Sequence, residues 1–420
     1  MSQGFGKKYS RSNKKEASNY LELIEKLLNQ PDKSESTLKK NKVLVDQNLT
    51  RIMRLVAIDL RTHEQEDSAN FLEDLAANVD ITKQKKLVEV ISDEYNYFIL
   101  RLTWEATQSG EDFQKVHPLL VDNLGKIDES FPQLLYYWAI SGLKQAELSK
   151  AKTLAAAFGI LGVIFQSFPL GNKAINLETA ISCCEIASIV FTLESYPETW
   201  AENQRNLASI FLDRIYGDKA ENIERALHYC DSAFSIRKYE SLPERWATTK
   251  ITQGIAFFSR IRGDRAENLE NSIEAYQQSL QVYTYPKFFE QWSTIQHNLG
   301  LSLIYRIYGD KVQNQEQAIL AFKNALKVRS FTNMPERWAD TQDSLGIAYW
   351  ERILGDNSKN VELAIEAHSQ ALKVYIYPNF PYRWADLKNH LGIAYYNRSS
   401  GNRSENLQTA ISCFKDALEG

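Results

Sequence analysis

Cysteine and histidine are the residue types in this sequence that could bind a metal ion or take part in nucleophilic catalysis. The four cysteines are Cys183, Cys184, Cys230 and Cys413, and neither C-x-x-C nor H-x-x-x-H spacing is present. The six histidines are scattered, and no two of them hold matching places in a catalytic constellation. The sequence therefore predicts no catalytic residue, no metal ligand and no cofactor, and we expect the protein not to be an enzyme.

Arginines recur at a constant interval of 46 residues in the second half of the chain. They are Arg214, Arg260, Arg306, Arg352 and Arg398. Such a row could bind the carboxylates of a ligand through paired hydrogen bonds. In the last turn of a helix, the same cation would instead complement the helix dipole and reach an aspartate that caps the next helix. The angular count places the arginines on the side that faces the neighbouring helix, so we favour structural pairing.

The interval of 46 residues organises the chain from about residue 150 onward. Five tryptophans follow it, as do a glycine series that begins at Gly171 and an asparagine series that begins at Asn176. The tryptophans are Trp200, Trp246, Trp292, Trp338 and Trp384. A period of this size is typical of stacked repeats, which bury their apolar faces against one another. The cysteines occupy positions that hold aromatic residues or alanine in other repeats, so we expect them to be packing residues.

Each repeat is predicted to contain two helices. In one unit, a first helix is expected over Pro335–Leu354, followed by Gly355, which can adopt the left-handed conformation that ends a helix. Asp356 would cap the second helix, with Asn360 as the alternative cap. Gly346 lies beside the tryptophan stripe, where the missing side chain would let the second helix approach closely. We expect the tryptophans to be buried between the two helices.

The opposite side of the first helix is the candidate binding surface, because contact with water alone would favour polar residues there. Its apolar residues are Ile255, Phe258, Leu301, Ile304, Tyr305, Ile347, Trp350, Ile393 and Tyr396, which we call the first-helix face. The residues expected around its rim are His297, Asn298, Tyr305, Asp343, Glu351 and Asn389. Such a surface suits an extended or helical peptide. The alternative is that the same residues pack against the adjacent repeat.

Composition limits the function classes. With 420 residues and a formal net charge of -4, the chain lacks the excess of cations that coating a nucleic acid requires. Four cysteines form no disulfide framework and no secretory leader opens the sequence, which favours the cytoplasm. The longest apolar run, Leu154–Phe165, has 12 residues. A bilayer needs roughly 20, so this run is predicted to be a buried helix and no membrane contact is expected.

The fold class is predicted to be all-α: a right-handed α-solenoid of helix pairs that follows an irregular helical region. Residues 1–18 are basic and poor in apolar side chains, which indicates a disordered tail. Residues 19–149 show helical spacing without a repeat. Residues 150–420 contain about six repeats, the last of which is uncapped. Its uncovered apolar residues would be Ile411, Phe414, Ala417 and Leu418.

The repeat resembles the tetratricopeptide (TPR) pattern. The Leu345-Gly346 pair with Tyr349 matches its first helix. The second-helix match is carried by Ala318, Phe322 and Ala325. A standard unit has about 34 residues, so the longer period implies longer helices. In standard units, the positions that line the concave groove correspond to part of the first-helix face.

Segments 335–339, 263–270 and 168–171 are similar to long-unit TPR arrays of bacterial proteins, and segment 116–124 resembles their leading helical region. In that family the array often precedes a caspase-like CHAT peptidase domain. The resemblance implies a noncatalytic scaffold that binds a peptide or protein segment on its concave face. The alternative is a regulatory or sensor part of a CHAT protease system, which would act with a peptidase domain not present in this chain.

Overall fold

The computed structural model describes residues 11–41, 49–50, 53, 56, 65–72, 74–76, 79, 93–109 and 113–419. None of these residues lies in a β-strand, so the prediction of an all-α fold is confirmed for the described part of the chain. Residues 1–10 of the expected disordered tail lie outside the described residues. Residues 11–18, where disorder was also expected, belong to the helix Arg11–Asn29.

Within the described residues ahead of the repeats, five α-helices have defined bounds. They are α1 (Arg11–Asn29), α2 (Ser34–Lys40), α3 (Asp93–Ser109), α4 (His117–Asp122) and α5 (Phe131–Gln145). The chain divides into two compact units, of which unit 1 comprises residues 1–101 and 133–144, and unit 2 residues 102–132 and 145–420. In unit 1, Ile24 and Leu27 of α1 share an apolar core with Leu49 and Leu72.

The described residues of unit 2 contain six helix pairs, and in each pair a short linker joins a first helix to a second helix. The pairs are α6 (Leu148–Ser167) with α7 (Lys173–Val190), α8 (Pro197–Asp213) with α9 (Lys219–Phe234), α10 (Pro243–Ser259) with α11 (Arg265–Leu280), α12 (Phe289–Ile304) with α13 (Lys311–Leu326), α14 (Pro335–Trp350) with α15 (Asn357–Ala371), and α16 (Pro381–Asn397) with α17 (Arg403–Glu419). Each first helix packs mainly against its own second helix, which packs in turn against the next first helix. Neighbouring first helices also touch. This is the packing of a helical repeat.

A glycine in the first helix allows the close approach within a pair, as predicted. A Cβ atom added to Gly300 would lie 2.6 Å from Cε1 of Phe322, and one added to Gly346 would lie 2.5 Å from Cε1 of His368. In the second pair, Ala208 takes the glycine position, and the residue opposite is the smaller Cys230. The sizes of the two facing positions therefore compensate each other.

The linkers settle which residue caps the second helix. Asp310 Oδ1 accepts a hydrogen bond of 2.8 Å from the backbone N–H of Gln313, so the aspartate is the cap. The neighbouring Asn314 is buried, and its Nδ2 donates to the carbonyl of Tyr308 at 2.9 Å, which holds the linker. Gly309 has a φ of 81°, the left-handed conformation that the sequence predicts.

The first helix is shorter than predicted, and its tryptophan is less buried. α14 ends at Trp350 instead of Leu354. The side chain of Gln315 forms hydrogen bonds with the backbone groups that follow the helix. Its Nε2 donates to the Glu351 carbonyl at 2.6 Å, and its Oε1 accepts from the Ile353 N–H at 3.1 Å. Trp338 is only partly buried, with its ring 5.6 Å from that of Phe331.

Among the described residues, α6 is the helix that is long and apolar enough to cross a membrane, with a mean hydropathy of 1.5. It packs extensively against α7. Phe158, Leu161 and Phe165 on this helix are fully buried. The run Leu154–Phe165 therefore belongs to a core helix, as predicted.

Candidate functional site

The first-helix face lies on α10, α12, α14 and α16. Ile255, Leu301, Ile347 and Ile393 occupy one position in the four successive repeats. Three members of the face are open to solvent: Ile255 is 36% exposed, Tyr305 is 49% exposed and Tyr396 is 53% exposed.

Other members of this face contribute to packing. Leu301, Ile304 and Trp350 are partly buried against the core of the repeats. The ring of Phe258 lies 6.1 Å from that of Tyr305 on the next first helix. Part of the face thus holds neighbouring repeats together, and part of it is exposed.

The rim of the face is less uniform than expected. Glu351 and Asn389 are exposed, and Asn298 is partly buried. His297 is partly buried, with its ring 5.8 Å from that of Phe322 and its Nδ1 3.3 Å from Thr341 Oγ1. Burial, with the nearby Arg329 cation, lowers the pKa of His297 to about 3, so its imidazole is neutral.

The periodic arginines are structural, but the expected partner is wrong. Arg306 lies just beyond the end of α12, and its Nε and Nη2 donate to the two carboxylate oxygens of Glu270 at 2.7 Å each. Glu270 belongs to the preceding second helix, α11, and is not a capping aspartate. Its hydrogen bonds raise the pKa of Arg306. The same bidentate pair joins Arg214 to Glu178, Arg260 to Glu224, Arg352 to Glu316 and Arg398 to Glu362. Each of these five arginines is paired with a glutamate, so their guanidinium groups do not form a free row that could bind a ligand.

The cysteines are packing residues, as predicted. All four are free and buried. Burial raises the pKa of Cys184 and of Cys230 to about 12, so neither thiol is available as a thiolate near neutral pH. This environment does not support nucleophilic chemistry.

Two buried arginines escaped the sequence analysis. Arg237 is 1% exposed, forms an ion pair with Glu202, and donates from Nη1 to Thr249 Oγ1 at 3.0 Å. Arg329 occupies the equivalent position two repeats later, where Thr294 stands in place of the glutamate at 3.4 Å from Nη2. Burial lowers the pKa of Arg329 to about 10. Tyr283 holds this position in the intervening repeat. The alternation of arginine and tyrosine was the feature of the sequence that could have revealed these two arginines.

A second exposed apolar surface was also missed. The linker between the two helices of a pair carries an isoleucine in four successive repeats, and we call this set the linker row. It consists of Ile215, Ile261, Ile307 and Ile353, which are 57%, 63%, 59% and 56% exposed. The 46-residue interval was sufficient to find these residues, but the prediction of a longer first helix placed Ile353 inside a helix.

Two histidines converge on one carboxylate, a cluster that the sequence analysis did not predict. His368 Nδ1 lies 2.8 Å and His390 Nδ1 lies 2.9 Å from the same oxygen of Asp343. Burial opposes ionisation of Asp343, but the hydrogen bonds from the two histidines outweigh it and hold its pKa well below the usual range. Burial lowers the pKa of His368, whereas the hydrogen bond to Asp343 raises that of His390. Sequence spacing did not reveal the cluster because its members come from three helices.

Unit 2 thus presents the first-helix face, the linker row and, among its described residues, one cluster of metal-ligand types. No protein-family model matches the chain, and no curated protein matches it.

Proposed function

We propose that the protein is a noncatalytic interaction scaffold, whose helix pairs stack as a right-handed TPR-like solenoid and bind a peptide or protein segment on the first-helix face. The observation that supports this function is the presence of apolar side chains at one position on four successive first helices, of which Ile255 is open to solvent. Tyr305 and Tyr396, at other positions of the same face, are also exposed. A cytoplasmic location belongs to the same proposal, because the four cysteines are free.

The spacing of the helices defines the kind of segment that fits. Neighbouring first helices touch, and helices in contact lie about 8–10 Å apart. A polyproline II segment presents every third side chain on one face at intervals of about 9 Å. An α-helix presents every seventh side chain at about 10 Å. A partner with apolar residues at either interval would place one of them on each first helix.

The chemistry of the face also suits a protein partner. Tyr305 and Tyr396 combine an apolar ring with a hydroxyl group, a combination that is common at protein interfaces. The exposed Glu351 and Asn389 lie near the apolar residues and provide a polar rim. An apolar centre with a polar rim is the usual organisation of a binding interface.

A peptide library panned against the purified protein provides the test. The selected peptides should carry apolar residues at intervals of three or seven. Replacing Ile255, Tyr305 and Tyr396 with serine should weaken binding of a selected peptide by at least about tenfold, because exposed aromatic anchors dominate such interfaces. Ser259 already occupies the position of Tyr305 in an earlier repeat, so the fold tolerates a serine there. Far-UV circular dichroism should remain unchanged.

The linker row supplies a matched control. Ile307 is at least as exposed as the three exposed members of the first-helix face, and Ser399 occupies its position in the last repeat. Ile307→Ser should leave peptide binding intact. If Ile307→Ser removes binding and the triple variant retains it, the partner binds the linker row and the proposed face is wrong.

A further inference from the structure

Three side chains of metal-ligand type converge where the fifth and sixth helix pairs meet. Asp343 comes from α14, His368 from α15 and His390 from α16. Both Nδ1 atoms lie within 2.9 Å of Asp343 Oδ1. The three ligand atoms all lie within 4.8 Å of one another. A single ion could therefore reach all three residues after a small movement.

The array itself does not require these residues. Each of the other five repeats has cysteine, tyrosine or phenylalanine in place of His368. These residues are Cys184, Cys230, Tyr276, Phe322 and Phe414. Isoleucine takes the place of His390 in the first repeat, and asparagine, threonine or serine does so in the next four. Asn389 takes the place of Asp343 in the last repeat. Since apolar rings serve the stacking equally well, a buried imidazole and a largely buried carboxylate at this junction need another explanation.

The surroundings fix one ligand and leave the others accessible. The side chain of His368 is 2% exposed and lies directly against Gly346, where an added Cβ would be 2.7 Å from Nδ1. Its ring centroid is 5.0 Å from that of His390. The side chains of Asp343 and His390 are 20% and 28% exposed. An ion and its water ligands can therefore approach from the solvent side, and His390 has room to turn.

We propose that Asp343, His368 and His390 bind a divalent transition-metal ion of the zinc class. Two imidazole nitrogens and one carboxylate oxygen form a donor set that such ions favour. Ligands around a tetrahedral zinc ion with bonds of about 2.0–2.1 Å lie about 3.3 Å apart, so the two nitrogen–oxygen distances need little change. The site has three protein ligands and leaves at least one coordination position for water. Because the ligands come from three helices, the ion would join the fifth repeat to the sixth.

The alternative is a hydrogen-bonded cluster without a metal, in which Asp343 accepts from both histidines. Titration of the chelator-treated full chain with ZnCl2 by calorimetry distinguishes the two. The proposal expects saturable binding of one Zn²⁺ per chain and a rise in melting temperature on addition of zinc. It also expects the d–d absorption of bound Co²⁺. Absence of saturable binding by the wild-type chain would overturn it.

The repeats supply variants that the fold already accommodates. His368→Phe imitates Phe322 and should reduce zinc affinity at least about 100-fold. His390→Ser imitates Ser344 and should have a similar effect on zinc affinity. Because His390 is partly exposed, this variant keeps the test valid even where His368→Phe disturbs folding. His228→Ala removes an exposed histidine elsewhere and should leave zinc binding unchanged. Unchanged affinity in both cluster variants would show that the ion binds elsewhere, which refutes the site.

Discussion

Replacement of Gly300 with alanine tests the close approach of the two helices within a pair. An alanine Cβ would lie 2.6 Å from Cε1 and 2.8 Å from Cδ1 of Phe322. Phe322 is fully buried, so its ring cannot withdraw without moving the surrounding core. We therefore expect α12 and α13 to be forced apart in this variant.

Two opposing effects determine the magnitude. Alanine is a better helix former than glycine by about 1 kcal/mol, which would stabilise an open position. Overpacking a dense core costs about 1–3 kcal/mol, and a contact this short belongs in the upper part of that range. The net expectation is that Gly300→Ala lowers the free energy of unfolding by about 1–2 kcal/mol.

Urea unfolding followed by far-UV circular dichroism measures the effect. Gly159→Ala is the matched control, because no heavy atom lies within 4 Å of an added Cβ there and the same change should stabilise the chain. Gly300→Ala with Phe322→Cys imitates the natural pair Ala208 and Cys230, so the two changes together should cost less than the sum of their separate costs. Strictly additive effects of the two changes, or stabilisation by Gly300→Ala alone, would refute the close-approach explanation.

Two ion pairs give further predictions. Arg306→Ala should destabilise the array by about 1 kcal/mol at low salt and by less at high salt, because the pair with Glu270 is about 30% exposed. In a Glu270→Gln background, Arg306→Ala should change the free energy of urea unfolding little further. Glu202→Gln should cost about 2 kcal/mol, less than a fully buried pair, because Glu202 is 43% exposed while its partner Arg237 is buried. Burial opposes ionisation of Glu202, but Arg205 and Arg237 lower its pKa overall. The stabilising effect of ionised Glu202 is therefore complete above the ordinary carboxyl range and disappears as the pH falls through the lowered pKa. Wild-type stability should consequently decline below about pH 4 more steeply than that of Glu202→Gln. Thermal melts across pH measure this difference.

The sequence predicted those features that every repeat shares. Gly346 opposite His368, Asp356 as a helix cap and the left-handed Gly355 each depend on one or two residues and recur at the same interval. Repetition makes such local interactions visible, because the same side chain must satisfy the same contact in each unit. The helix pairs themselves follow from the same period.

The features that the sequence did not reveal depend on which faces of different helices meet. The partner of Arg306 lies 36 residues earlier, and only the packing of α11 beside the end of α12 distinguishes Glu270 from a capping aspartate. The end of α14 depends on Gln315 of the preceding pair. Asp343, His368 and His390 are separated by 25 and 22 residues, intervals that correspond to no local metal motif.

Departures from the repeat have a consequence for binding. Identical repeats would let a partner segment bind in several registers with equal affinity, since each shift by one repeat would recover the same contacts. Residues that occur at one junction remove this degeneracy. Asp343 lies one helical turn before Ile347, and His390 lies about one turn before Ile393, so the cluster adjoins the first-helix face at a single place along the array. If the protein binds a partner as proposed, the repeated residues would supply affinity, while the residues that break the repeat would determine where along the array the partner binds.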